Sequence, residues 1–217
     1  MRTIALLLVA STSLAAQSAP AGALRWDLTA GNGNGATSAS VGVVKFHRAG
    51  TDRLRVGLGL RATYVAGDLK LSPAGAKNVP AGVIDTLFLS AGALMVNVSG
   101  HFGVIVTDRL RLGLNIDLAG VGTGASRNAS YRASAATART TVKASPTAAN
   151  LFLYGSKDRG SLNSEFFAAW ELSDRLTLRG GLSHQLVEYE ADRTLSSNTQ
   201  RFRSYSNLLF LGLRLAR

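Results

Sequence analysis

Thr51-Asp52-Arg53-Leu54-Arg55-Val56-Gly57-Leu58 returns as Thr107-Asp108-Arg109-Leu110-Arg111-Leu112-Gly113-Leu114 and, more loosely, as Ser173-Asp174-Arg175-Leu176-Thr177-Leu178-Arg179-Gly180. Each copy is a short polar turn that passes at once into strict alternation. In the first, Leu54, Val56, Leu58, Leu60, Ala62 and Tyr64 share one face, opposite Arg53, Arg55, Gly57, Gly59, Arg61 and Thr63. In the second, Leu110, Leu112, Leu114, Ile116 and Leu118 oppose Arg109, Arg111, Gly113, Asn115 and Asp117. A period of two marks a β-strand with one apolar and one polar face. These runs are roughly twice the usual five or six residues of a strand.

The same pattern extends outward from the repeats. Leu24, Trp26, Leu28 and Ala30 alternate with Arg25, Asp27 and Thr29, and Gly31-Asn32-Gly33-Asn34-Gly35 supplies a hairpin loop. A second strand, about Ser38 to Arg48, leads to the first repeat and carries Lys45 and His47 on one side, with His47 read as inward. A loop, about Gly67 to Asp85, separates strand three from strand four. Thr86 to Val106 has the length of a membrane helix. However, Gly92, Gly100, Gly103, Asn97, Ser99 and His101 interrupt it, and Leu94, Val96, Val98, Phe102, Val104 and Val106 alternate along it. It therefore reads as strand four, and the second repeat as strand five. Residues from about 123 to 162, rich in Ala, Ser, Thr and Arg, read as the longest irregular segment.

Phe166, Ala168, Trp170 and Leu172 then alternate with Glu165, Phe167, Ala169 and Glu171. The third repeat follows, then a polar loop at about Ala191 to Arg203. Leu209, Leu211, Leu213 and Leu215 close the series. Three tight turns alternate with four longer connections among eight strands. The expected fold is all-β: an eight-stranded antiparallel up-and-down transmembrane β-barrel with short periplasmic turns and longer external loops. The Asp of each turn is expected to hydrogen-bond neighbouring backbone and close the hairpin.

The 217-residue chain has no Cys and a formal net charge of +11. It therefore has no disulfide, no thiolate metal site and no lipid-bearing cysteine. Its cations alternate with apolar residues along strands, unlike a nucleic-acid patch. Met1-Arg2, the apolar run Ile4 to Ala10 and the small residues Ser11 to Ala16 read as a signal peptide cleaved after Ala16, with Ala15 and Ala23 as alternatives. This leaves residues 24–217 as the barrel domain and takes the mature chain out of the cytoplasm, away from nucleic acid.

The Leu-rich faces must meet lipid, because a Lys or Arg facing mid-bilayer costs about 2–4 kcal/mol. Arg25, Arg55, Arg61, Arg111 and Arg179 then turn inward to meet Asp27, Asp117, Glu165 and Glu171 as a charge network in the lumen. Eight strands enclose a space that side chains can fill, so the interior is expected to be plugged.

With its signal peptide, alternation and turn–loop pattern, the stretch from Leu24 to Arg217 resembles the small eight-stranded outer-membrane barrels of the OmpA-transmembrane-domain, OmpX and OmpW kind. The chain ends Leu213-Arg214-Leu215-Ala216-Arg217, where such barrels end in an aromatic residue. The resemblance implies a structural or surface-interaction role in the outer membrane, as a monomer among lipid. The alternative is a narrow channel or carrier for small solutes, of the OmpW kind.

No HExxH, GxSxG or P-loop is present. His184 and Glu188, outward neighbours on strand seven, look like part of the Ser-His-Glu set of outer-membrane lipid A deacylases. The nucleophile position holds Leu186, and Ser183 points the other way, so a lipid-modifying enzyme is only a remote alternative. No catalysis, cofactor or metal is expected. Arg127, Arg132, Arg139, Lys143, Lys157 and Arg159 sit in the long third loop with only Asp158 against them. Such a run reads either as a solvated loop or, with the first four as the candidates, as a contact for phosphates of lipopolysaccharide or another anionic surface, at about 1 kcal/mol per close cation.

Overall fold

The alternating runs form strands that pair antiparallel with their neighbours in a computed structural model describing residues 23–74, 85–134, 136–154, 157–196 and 198–216. The signal segment 1–16 lies outside the described residues. The strands are β1 (Leu24–Gly33), β2 (Ala36–Ala49), β3 (Thr51–Pro73), β4 (Thr86–Ile105), β5 (Leu110–Thr123), β6 (Arg127–Arg132), β7 (Thr140–Pro146), β8 (Ala149–Tyr154), β9 (Lys157–Arg159), β10 (Leu162–Glu171), β11 (Leu176–Ala191) and β12 (Arg201–Ala216). Consecutive pairing runs from β1 through β5, then to β10, β11 and β12. Trp26 opposite Leu215 and Leu28 opposite Leu213 join β12 back to β1. The eight-stranded ring is closed, so no backbone edge is left for hydrocarbon to meet. Leu58, Leu60, Leu114, Phe166, Leu182, Leu209 and Leu211 are exposed on its outside, whereas Arg61, Asp117, Glu165 and Arg179 are buried within. This inverted polarity makes it a transmembrane barrel rather than a soluble one.

The tight turns close differently from the expectation. Thr107 Oγ1 accepts the backbone N–H groups of Arg109 and Leu110 at 3.3 and 3.0 Å, and Ser173 Oγ accepts that of Arg175 at 3.4 Å. The hydroxyl residue that opens these two motifs does the work assigned to Asp. In the first turn Gly50 takes φ of 73°, and Asp52 binds the Arg48 guanidinium at 3.0 Å.

Two of the expected loops are largely strand where they are described. β3 continues past Gly67 to Pro73, with Leu69 and Leu71 buried and Asp68 and Lys70 on the other face. Within the segment 123–162, β6 and β7 form a hairpin and β8 pairs with both β5 and β9. β6 joins β4, and β7 joins β11. Above the short β1–β2 hairpin, β12 reaches over to β3 through Phe202–Pro73 and Arg203–Ser72. The pairings β3–β4, β4–β6, β6–β7, β7–β11, β11–β12 and β12–β3 thus close a second ring of six strands at the loop end.

The interior changes character between the rings. Leu69, Leu71, Leu87, Leu89, Met95, Tyr131, Val142, Tyr189, Phe202 and Leu208 form an apolar plug inside the six-stranded ring. Where β4 passes from pairing with β5 at Leu94 to pairing with β6 at Phe88, Tyr189 accepts the N–H of Gly92 at 3.0 Å. That bond satisfies a donor at the parting of the walls. Near the plug's outer end the Tyr131 hydroxyl donates to Asp85 at 2.6 Å, with Ser196 on the same pair. Burial first, then the Asp85 bond, holds the Tyr131 phenol above its usual range, so it stays a neutral donor.

Candidate functional site

In the eight-stranded ring most inward positions are polar, with Val44, Phe46, Phe167 and Phe210 among them, and the charged side chains at its centre meet in one network. Arg61, from β3, gives Nε and Nη2 to Asp117 Oδ1 at 3.1 and 2.6 Å, and Nη1 lies 3.0 Å from Glu165. Asp117 Oδ2 accepts the Asn97 amide at 2.8 Å and the Asn163 backbone N–H at 2.9 Å. Glu165 Oε2 accepts the Asn115 amide at 3.0 Å and Arg179 Nη2 at 3.1 Å. Arg179 also reaches Asp27 at 3.0 Å and stacks 3.9 Å above the Phe167 ring. Gly113 makes that stack possible: a Cβ there would lie 2.3 Å from the Phe167 ring.

The structure therefore brings Asp27, Arg61, Asp117, Glu165 and Arg179 into one chain of ion pairs. Arg111 and Glu171 form a separate pair nearer the tight turns. Arg55 gives Nη1 to the carbonyls of Asp52 and Leu54, at 2.7 and 2.9 Å. Arg25 is buried but makes no ion pair among the described residues; its guanidinium lies 5.7 Å from the Phe46 ring. Sequence reasoning passed over Arg214, which holds Asp27 through two bonds of 2.6 and 2.7 Å. Its signal was present, since Arg214 alternates with Leu213 and Leu215 in the last strand. It also passed over Asn97, Asn115 and Asn163, whose amides fill the gaps between charges. Buried ions survive only when paired and hydrogen-bonded, and these amides supply the remaining bonds.

β2 runs against the expected pattern. Val44 and Phe46 face the lumen, whereas Lys45 and His47 are exposed opposite the outward residues Leu58 and Val56. The inward reading of His47 is thus corrected. The physical reason is the cations inside: Arg25 and Arg214 lie 5.7 and 4.8 Å from the Phe46 ring, which an inward His47 would not provide. His101 does face inward and bonds Ser99 at 2.9 Å.

Little water-sized space remains. A cavity beside Arg61 and Arg179 measures 10 Å³, and one beside Arg25 and Arg214 measures 30 Å³. A single water needs about 10–15 Å³.

The loop cations lie on folded structure. Arg127 is exposed at the start of β6 with its guanidinium over Gly92; Arg132 and Arg139 flank the Phe88 ring at 5.8 and 4.6 Å; Lys143 is exposed on β7. They line the outside of the β6–β7 hairpin and its flank rather than converging on one point. His184 and Glu188 are not partners. His184 Nδ1 bonds Asn207 at 2.8 Å and the ring stacks on Tyr205. Glu188 is fully buried, held by Arg201 at 2.8 and 3.0 Å, Arg203 at 2.7 Å and the Gly160 N–H at 3.1 Å. This cluster clamps the segment around β9 against the outside of the wall. Sequence reasoning missed it because the two arginines lay in a presumed loop.

No family model and no curated protein matches the chain. Among solved structures it is similar to neisserial surface protein A, with 11% identity over 93% of this chain and 100% of that one, at a TM-score of 0.41. It is similar also to a major outer membrane protein from Thermus thermophilus, with 14% identity, 91% and 100% coverage and a TM-score of 0.43. The Yersinia pestis outer membrane protein Ail is a third neighbour, at 8% identity, 89% and 99% coverage and a TM-score of 0.36. At this level of likeness the fold stands on the strand pairings themselves, which close eight antiparallel strands into an inside-out barrel.

Proposed function

We propose that this protein is an integral outer-membrane barrel with a structural or cell-surface role, neither catalytic nor a conduit. The observation that carries the reading is the double closure of the interior. A paired-charge network fills the eight-stranded ring, and an apolar plug fills the six-stranded ring beyond it. An ion crossing the first would have to displace Arg61 or Arg179 from carboxylates, and crossing the second would strip its water. In the proposed orientation the tight turns face the periplasm and the six-stranded extension stands outside the cell. Refolded protein in a planar bilayer is expected to show no steady conductance. Steady, ohmic, anion-selective currents that respond to Arg111→Ala would instead establish the narrow channel.

The surface role falls to the β6–β7 side of the extension. Arg127, Arg132, Arg139 and Lys143 present cations that bind phosphate oxygens, the arginines bidentately. The partner proposed is lipopolysaccharide. Changing all four to Gln is expected to leave the barrel folded, with a loss of about 0.5–1 kcal/mol for each cation–π contact to Phe88. The same change should weaken binding to lipopolysaccharide vesicles at low salt, and wild-type binding should fade as salt shortens the screening length to about 3 Å near 1 M. Equal binding by the two proteins at low salt would remove the surface proposal and leave the barrel reading intact.

A further inference from the structure

At the tight-turn end the lumen is charged but not balanced. The 30 Å³ cavity there is lined by Arg25, Arg55, Arg111, Arg214, Phe46 and Phe167, among others. Arg55 and Arg111 also border a wider vestibule of 370 Å³ between the turns, with Arg48 and Arg53 set against Asp52 and Asp108. Of the four arginines around the inner cavity, Arg111 has Glu171, and Arg214 has Asp27, which it shares with Arg179. Arg55 binds only backbone carbonyls with Nη1. Arg25 has 7% of its surface exposed; Glu171 and Asp27 act on it at longer range, and among the described residues it has neither a hydrogen bond nor a direct ion pair. The buried Nε of Arg111 has no acceptor among the described residues. A buried cation is stable only with a counter-charge, and Arg does not escape the requirement by losing its proton.

We propose that this cavity is a binding site for a small oxyanion, a phosphate or carboxylate group, with Arg25 as its principal donor and Arg111 Nε as a second. The inner cavity takes the anionic head only; the vestibule accommodates what it is attached to. The Phe46 and Phe167 walls lower the local dielectric, which strengthens each charge-assisted bond. The apolar plug blocks the far end, so the site is blind and filled from the tight-turn end. The anion is thus a ligand, not a permeant. The inference goes beyond the proposed function, on which it depends only for the side of the membrane that supplies the anion.

The test uses refolded full-length mature protein in a nonionic detergent, with inorganic phosphate and acetate as probes at constant ionic strength. Calorimetric titration should show saturable binding, and the denaturant midpoint should rise with probe concentration, because a ligand bound only by the folded state stabilises it. Arg25→Gln should weaken binding at least tenfold. In anion-free buffer it should unfold at the same or a higher midpoint, since it removes an unpaired buried charge. Glu171→Gln, which releases Arg111 from its carboxylate, should tighten binding. The fourfold Gln variant of the external hairpin should retain the saturable site even where it loses weak surface association with phosphate, so failure here is distinguishable from failure of the surface proposal. Whichever probe binds more tightly identifies the group. No saturable binding of either probe, equal binding by Arg25→Gln, or loss of the saturable site in the external variant would overturn the site. A lower midpoint for Arg25→Gln in anion-free buffer would make Arg25 a structural residue. Should Arg25→Gln fail to refold, Arg25→Lys, which keeps the charge but not the bidentate geometry, makes the same comparison with a smaller expected loss.

Discussion

Arg179→Gln is expected to destabilise the folded barrel by about 3–5 kcal/mol, the usual result of removing one partner from a buried ion pair. Arg179 is 1% exposed and is the only described side chain that bridges Asp27 to Glu165, at 3.0 and 3.1 Å. Without it, Asp27 keeps Arg214 and Glu165 keeps Arg61, but each loses a bond, and the Phe167 ring loses the guanidinium stacked on it. Denaturant titration in detergent reads the effect directly, with migration on an unboiled gel as a check on folding. Adding Asp27→Asn and Glu165→Gln to Arg179→Gln should recover part of the loss, because the abandoned charges disappear with their partner. A cost of the single change below about 1 kcal/mol, a typical surface-pair value, would mean that the network is hydrated rather than closed.

The second large effect is expected at the lipid face. Leu114 is 45% exposed in the apolar belt, paired with Phe102 on one side and Phe166 on the other. Leu114→Arg should cost about 2–4 kcal/mol or prevent insertion, whereas Leu172→Arg, beside the third tight turn, should cost about 0–1 kcal/mol. The comparison reads membrane depth through one chemical change. Alternation alone would make Asn115→Arg the mild control, but Asn115 is buried against Glu165 beside a cavity of only 10 Å³. An arginine there would overpack the lumen, and its cost reports packing rather than depth. Equal losses for Leu114→Arg and Leu172→Arg would remove the bilayer from the explanation.

What the sequence by itself determined is the wall. In β3, β5, β11 and β12, large aliphatic residues alternate with Arg, Asp, Gly or Gln, and a period of two between such unlike faces is readable without any partner strand. The repeated turns then announce which runs are neighbours. Those local signals place Arg61, Asp117, Glu165 and Arg179 on inward faces, although which acid each arginine meets depends on register around a closed ring.

Only the tertiary structure decided the rest. The β6–β7 hairpin buries Ala129, Tyr131, Val142 and Ala144. Its inward face is half alanine and its outward face Ser, Thr, Asn and Lys, too weak a contrast to distinguish strand from loop. Its strands exist because β4 and β11 outlast β5 and β10 and offer unpaired edges that the hairpin satisfies. The same holds for β12 meeting β3 above the first hairpin. β2 turns Phe46 rather than His47 inward, and there the ring meets two arginines that are distant in sequence. Glu188 is buried because Arg201, Arg203 and Gly160 arrive from separate segments. Each depends on contacts between residues far apart along the chain, and a one-dimensional period carries no information about which distant edges and charges the closed ring will bring together.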